Sequence, residues 1–299
     1  GYTDTEVISD VFTQNILSAG NTLETESNRS NNMSENFHMD LRLEWDPNEY
    51  TKLIFRPNAS IYDNSRTETG QFNTVEEGTL DNINDGHSEY FSEGKGSDVG
   101  GRLDFSRKIG DDGRVISAQL RGNIGNSENS GSSVSETNYY RGTRPDDIID
   151  QRFTNINDNS SWRGYISYVE PIGNNNFIQL AYQYRQNLSL SDRDTRTEEV
   201  PGSGNYNVLD SLYSKRLDNN FVRQELELNF QSIRDKFDYM IGVSMQPSSS
   251  RSKTFIGEEM IDNLRQDVVN YAPMAQFNYR WSRNTNLRIR YFGNTSQPS

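Results

Sequence analysis

The chain has 299 residues, 32% of them hydrophobic, with a formal net charge of −13 and no cysteine. The missing cysteines exclude a disulfide scaffold and cysteine metal sites, and the acidic balance argues against nucleic acid as a partner. A mean hydropathy of −0.90 borders on a disordered composition, yet 16 Tyr, 14 Phe and 3 Trp are more aromatics than disordered chains carry. No apolar run approaches the roughly 18–20 residues of a membrane helix. No signal peptide opens the chain at Gly1, which fits a mature, fragmentary or cytosolic sequence.

In chain order, the first candidate element is the stretch "TEVISDVFTQNIL". Its pattern is mixed, since Val7 and Val11 oppose Ile8, Phe12 and Ile16, and it reads as a strand only weakly. The next stretch, "FHMDLRLEWDPNEYTKLIFRPNASI", is clear. Phe37, Met39, Leu41, Leu43 and Trp45 alternate with His38, Asp40, Arg42 and Glu44, and after a turn-like "DPNEY" the alternation resumes at Leu53, Phe55, Ala59 and Ile61. Such period-two patterning is the strand signal.

The same unit returns four times. Val99, Leu103 and Phe105 precede the turn "IGDDG", and Ile116, Ala118, Leu120 and Ile124 follow it. Trp162, Ile166 and Tyr168 lead through "PIGNNN" to Ile178, Leu180, Tyr182 and Tyr184. Val222, Leu226, Leu228 and Phe230 lead through "SIRDK" to Phe237, Tyr239, Ile241, Val243 and Met245. Ala275, Phe277, Tyr279 and Trp281 lead through "SRNTN" to Leu287, Ile289 and Tyr291. Five hairpins make ten strands, eleven with the first candidate. The predicted fold class is therefore all-β, an antiparallel up-and-down meander of about 10–11 strands.

Connections alternate in length. Between the hairpins lie the polar segments Asn64–Asp98, Asn126–Ser160, Ser191–Asn219 and Ser248–Asn270, expected to be long loops gathered at one end of the meander. Ten strands with one apolar face need a covering layer, and no amphipathic helix supplies one. The pattern points instead to part of a transmembrane outer-membrane barrel, with the apolar face in lipid and the polar face lining water. Trp45, Phe105, Tyr168, Phe230, Phe237, Tyr279 and Trp281 would then form an interfacial girdle. The rival reading is a soluble or surface β-sandwich of adhesin type, which also shows alternation.

The segment "LEWDPNEYTKLIFRP", with "FTQNIL" before it and "YRWSRNTNLRIRYFGNTSQPS" at the end, resembles the outer-membrane β-barrel family related to TonB-dependent receptors. The resemblance implies a 22-stranded, plugged barrel in the outer membrane of a Gram-negative bacterium, with its long loops outside the cell. It implies uptake of a small-molecule, peptide or glycan ligand, and as partners membrane lipid, a plug domain and further barrel strands. No plug domain or energy-coupling box is visible, so residues 1–299 are expected to be a single partial-barrel segment of a chain that continues on both sides.

Candidate chemistry is sparse. On the polar parity stand Arg42, Lys52, Arg56, Arg102, Lys108, Arg121, Arg163, Arg185, Arg223, Arg280, Arg288 and Arg290, against Asp40, Glu44, Asp104, Glu225, Glu227 and Asp238. That wall attracts an anionic solute or grips an acidic plug, unless it is merely a hydrated set of ion pairs, the commoner arrangement in barrel lumens. A rim protease would need an Asp–His pair to polarise water. Asp85 with His87, and Asp192 with Asp194, are weak candidates because a two-residue spacing arises by chance. His38 reads as a hydrogen-bonded wall residue. "DNINDG", Asp81–Gly86, fails as a calcium loop, since Ile83 takes a ligand position and Ser92 stands where the bidentate Glu belongs. Looser calcium binding by the acidic segments stays open. With no phosphate loop, His cluster or nucleophile elbow, the expectation is no enzyme activity, no cofactor, no metal site and no assignable ligand residue.

Overall fold

The computed structural model describes residues 1–18, 20–142, 144–173, 175–282 and 285–293, and among them there is no helix. Thirteen strands follow one another: β1 (Tyr2–Asn15), β2 (Thr22–Asp40), β3 (Leu43–Asn48), β4 (Thr51–Glu76), β5 (Asn82–Ile109), β6 (Arg114–Tyr139), β7 (Asp147–Pro171), β8 (Asn176–Thr197), β9 (Val208–Leu209), β10 (Lys215–Ile233), β11 (Phe237–Ile256), β12 (Glu259–Ser282) and β13 (Thr285–Phe292). They form one antiparallel meander in the order β1-β2-β4-β5-β6-β7-β8-β10-β11-β12-β13, with β3 on β4 and β9 on β8. The eleven strands of the main path include the weakly patterned first candidate, now β1. The short β3 prolongs the line of β2. The break falls at Leu41 and Arg42, opposite Pro57, which has no N–H to give the ladder.

Of the four polar segments expected to be long loops, three are mostly strand, while in Ser191–Asn219 a long connection remains between β8 and β10. β4 and β5 stay paired from Thr51 with Arg107 up to Val75 with Asn82, and β6 with β7 from Val115–Val169 to Thr137–Asp147. The connections at that end shrink to Glu77–Asp81, residues 140–146, residues 198–214 around β9, and Gly257–Glu258. Once both faces of a strand are wet, Ser, Thr, Asn and Gly serve as well as apolar residues, because the backbone bonds themselves carry the pairing. At the other end the predicted turns hold. Gly110 (φ 69°) and Gly113 (φ 88°) turn "IGDDG", and Gly173 (φ 94°) turns "PIGNNN", each in the left-handed region that glycine enters without steric cost. The "SRNTN" turn lies partly outside the described residues.

Residues directly opposed across a ladder share a face, so the register tests the parity assignment. One unbroken line runs Trp45–Leu53–Phe105–Ala118–Ile166–Tyr182–Leu226–Met245–Tyr271. A parallel line runs Ile116–Tyr168–Leu180–Leu228–Val243–Pro273. The apolar positions of all five predicted hairpins therefore lie on one face, as a belt nearest the glycine turns. Phe230, Phe237, Tyr239 and Phe277 stack along its edge, and Tyr279 meets Trp281 edge-on at 4.7 Å.

Nothing in the described chain covers that belt. Leu43 is 59% exposed, Leu120 53% and Leu226 46%, and each strand contacts only its ladder neighbours. Among the described residues the only buried apolar side chains are Phe153, Ala181 and Ala272. The solvent-accessible surface is 19945 Å² for 34.3 kDa, where a compact chain of that mass exposes about 13,000 Å². A sandwich would have hidden the leucines between two layers; the sheet is a single layer.

The register is also staggered. A line across the strands from Thr51, at the turn end of β4, passes Arg107, Ile116, Tyr168, Leu180, Leu228 and Val243 and reaches Pro273, well inside β12. Each strand is thus displaced along its neighbour by roughly one residue, the shear that tilts strands in a barrel wall.

Candidate functional site

The face opposite the belt holds the charged residues. Its most ordered feature is a single row: Arg56 stands opposite Arg102, Arg102 opposite Arg121, Arg121 opposite Arg163, Arg163 opposite Arg185, and Arg185 opposite Arg223. Six neighbouring strands, β4 to β8 and β10, each contribute one arginine at the same level. Like charges directly opposed across a ladder repel, so the row needs a compensating charge. It has little. Arg102 pairs with Asp104 at 2.8 Å and Arg223 with Glu225 at 3.5 Å. Arg163 donates to the Gln183 amide oxygen from Nε at 2.9 Å and Nη2 at 2.5 Å. Among the described residues Arg56, Arg121 and Arg185 have neither an ion pair nor a side-chain hydrogen bond. All but Arg223 are exposed.

Two polar rows flank the arginines on the same face. On the turn side run Asp104, Gln119, Tyr165, Gln183 and Glu225; on the far side run Asn58, Gly100, Asn123, Ser161 and Asn187. Gln119 donates to Asp104 at 2.8 Å, and Gln246 donates to Glu225 at 2.7 Å.

The remaining predicted wall residues occupy this face too. Glu44 bridges Arg42 at 2.8 Å and also meets Lys52. Asp238 accepts from Arg280 at 3.2 Å and from Asn278 at 2.5 Å, and Arg288 donates to Asn278 at 3.0 Å. His38 contacts the Asp40 carboxylate, in keeping with a bonded wall residue. Near the turns, then, the hydrated ion-pair arrangement holds. The central arginine row is what sequence reasoning missed, because parity places a residue on a face while only register places residues on one line.

The rim candidates are not assembled as a catalytic pair. Asp85 and His87 lie on β5, not in a loop, two residues apart on one face. Asp85 accepts from Asn138 at 3.1 Å and from the Tyr140 hydroxyl at 2.9 Å, and it does not bond His87. Asp194 is held by Arg196 at 2.8 Å on β8. "DNINDG" runs from the Glu77–Asp81 turn into β5, so its side chains alternate faces and do not converge on an ion. Among the described residues no group of His, Asp and Glu has metal-holding geometry.

The outer connections are ordered by polar contacts. Glu76 accepts from Arg141 at 2.6 Å and from Thr79 at 2.9 Å, and these bonds, Arg141 first, hold its carboxyl below the usual range. Its partner's guanidinium is raised in turn. The segment after β8 bonds back to β7 and β8, with the Tyr206 hydroxyl donating to Asp150 at 2.9 Å. Ser214 and Thr195 bond reciprocally at 2.9 and 3.0 Å, and Gln151 donates to Asp210 at 2.8 Å.

No family model matches the chain, and no curated protein matches it. Among solved structures it is similar to the translocator domain of the autotransporter NalP from Neisseria meningitidis, with 9% identity, a TM-score of 0.32, and coverage of 98% of this chain and 81% of that one. It is similar also to the beta domain of the Bordetella autotransporter BrkA, at 13% identity, TM-score 0.27, covering 97% and 88%. A third similar structure is the ferric enterobactin receptor PfeA of Pseudomonas aeruginosa, at 7% identity, TM-score 0.21, covering 98% and 75%.

Proposed function

We propose that this chain is wall of an outer-membrane β-barrel, and that the barrel is a transporter resembling the TonB-dependent receptors, importing a ligand without catalysing a reaction. The observation that carries the membrane reading is the uncovered belt. From Leu53 to Ile61 it occupies nine residues of β4, about 30 Å of strand, or roughly 23 Å of height at the ~40° tilt of such barrels, against an apolar band of ~25 Å. The staggered register supplies the shear that a tilted wall requires. The transporter reading leans on the "LEWDPNEYTKLIFRP" resemblance, and the absence of a catalytic role on the separation of Asp85 from His87.

In this reading the arginine face looks into water, and the polar upper halves of the strands stand outside the cell. A bare backbone group in lipid costs several kcal/mol, so in this reading the outer edges of β1 and β13 are paired, and a plug in the lumen rests on the resemblance to TonB-dependent receptors.

All three tryptophans test the placement. Trp45 and Trp162 lie on the belt face by register, and Trp281 meets the belt residue Tyr279 edge-on, so the three mark its two margins. In vesicles of brominated lipid, their fluorescence is expected to be quenched most by bromines near the headgroups and least by bromines at the chain ends. Unquenched, water-exposed emission would remove the membrane reading. Uptake of a radiolabelled solute that continues after collapse of the inner-membrane proton gradient would remove the energy-coupled transporter while leaving the barrel.

A further inference from the structure

We propose that the arginine row binds an acidic oligosaccharide carrying one carboxylate on each sugar ring, an oligouronate. The inference rests on the barrel reading for the claim that this face looks into an aqueous interior. The row itself is set by strand pairing alone.

The spacing comes first. Neighbouring strands lie ~4.8 Å apart, so the five intervals from Arg56 to Arg223 span roughly 24 Å. A linked sugar ring advances its chain by about one such interval and successive rings turn their carboxylates to alternate sides, so those on one side recur at about every second arginine, the spacing of Arg56, Arg121 and Arg185. An extended acidic peptide repeats on one side only every ~6.6 Å and falls out of step. The guanidinium group is a planar fork that grips a carboxylate with two parallel bonds. Three arginines, Arg56, Arg121 and Arg185, have their forks free among the described residues.

The flanking rows choose between anions. Gln119 and Gln183 lie on one side, Asn58, Asn123 and Asn187 on the other. An amide both donates and accepts, which matches sugar hydroxyls. Polyphosphate offers acceptors only and leaves half of each amide unused. Tyr165 stands in the glutamine row, where its ring can pack against the apolar face of a sugar.

The row also has a direction. Arg56 is five residues from Thr51 at the turn end of β4, and Arg223 is ten from Ile233 at the turn end of β10. It therefore climbs obliquely away from the turns, and a bound oligomer lies along the wall as on a ramp.

The experiment uses the chain purified from its native membrane and isothermal titration calorimetry with hexagalacturonate. Its methyl ester, which keeps the rings and loses the charges, is the first control. Hexaglutamate and hexaphosphate are the second and third. The expected order is hexagalacturonate tightest, with the ester at least tenfold weaker. Arg121→Gln and Arg185→Gln, which orphan no carboxylate, are each expected to weaken binding on the order of tenfold. Arg121→Lys, which keeps the charge but loses the fork, should recover only part. Equal binding of acid and ester, or no binding of either, overturns the proposal. Tighter binding of hexaglutamate or hexaphosphate overturns the sugar and leaves a general polyanion row. Brominated-lipid quenching on the same preparation separates the two readings: quenched tryptophans without binding remove the oligouronate alone, and unquenched tryptophans remove the membrane placement while the titration still decides the row.

Discussion

Between Leu53 and Ile61, the belt face of β4 carries Leu53, Phe55, Pro57, Ala59 and Ile61; from Asp63 to Asn73 the same face of the same strand carries Asp63, Ser65, Thr67, Thr69, Gln71 and Asn73. The ladder does not notice the change. β5 remains in register beside both stretches, from Leu53–Phe105 to Asn73–Asp85. Backbone hydrogen bonds propagate a sheet once a neighbour is in place, whereas side chains decide only what solvent each face tolerates. The lower half is thus a sheet made for an apolar surrounding, and the upper half the same sheet made for water.

The widest separation between the halves should come from a buried charge. Leu120→Arg and Leu226→Arg place a cation in mid-belt, and each is expected to cost about 2–4 kcal/mol in lipid vesicles. Thr67→Arg, on the same face in the upper half, should cost under about 0.5 kcal/mol. Chemical denaturation of vesicle-refolded protein measures both. Equal losses at the two levels would mean that no lipid boundary lies between them.

This contrast also explains what was legible in the sequence. The belt strands announced themselves, because one apolar face and one polar face enforce period two at Phe37–Trp45 or Leu226–Phe230. The upper halves did not. "ENSGSSVSETN" in β6 is polar on both faces, and clusters of Ser, Asn and Gly ordinarily mark loops. β1 straddles the two cases, with Ile8 and Phe12 on the belt side and Val7 and Val11 behind them, so its alternation was blurred. At the site, the arginines were legible as wall residues. Their alignment was not, since it depends on the displacement at each of five strand pairings.

Glycine substitutions sharpen the comparison by reversing its usual sign. Gly131, in the upper half, sits so close to its neighbours that an added Cβ would lie 2.0 Å from the Phe91 carbonyl oxygen and 2.9 Å from the Phe153 ring. Gly131→Ala must shift backbone and should cost roughly 1–3 kcal/mol. An added Cβ at Gly122, in the belt, would have its nearest contacts on the Trp162 ring, from 2.5 Å, and a ring on an uncovered face can swing aside. Gly122→Ala is expected to cost under about 1 kcal/mol while shifting tryptophan emission. A larger penalty at Gly122 than at Gly131 would show that Trp162 is clamped in the belt.

The smallest effect is electrostatic and confined to the outer end. Glu76, at the tip of β4, ties the Glu77–Asp81 turn to the segment after β6 through Arg141 and Thr79. Those bonds hold its folded-state carboxyl below the ordinary range, so the link contributes fully above the unfolded carboxyl's pKa. It is lost as pH falls through the lower, folded value. Arg141 stays charged throughout, so the loss belongs to Glu76. The pair is exposed and salt-screened, and its rupture should loosen the two connections without unfolding the sheet. Hydrogen exchange, corrected for intrinsic pH dependence, should show faster opening of amides 77–81 and 140–142 as pH drops from 6 to about 3.5. Belt amides near Leu103 and Leu120 should not respond. In Glu76→Gln the outer amides should already open fast at pH 6 and change little on acidification. An acid response of the same size in the belt would show that the two halves open as one unit, and the division drawn at Ile61 and Asp63 would lose its energetic meaning.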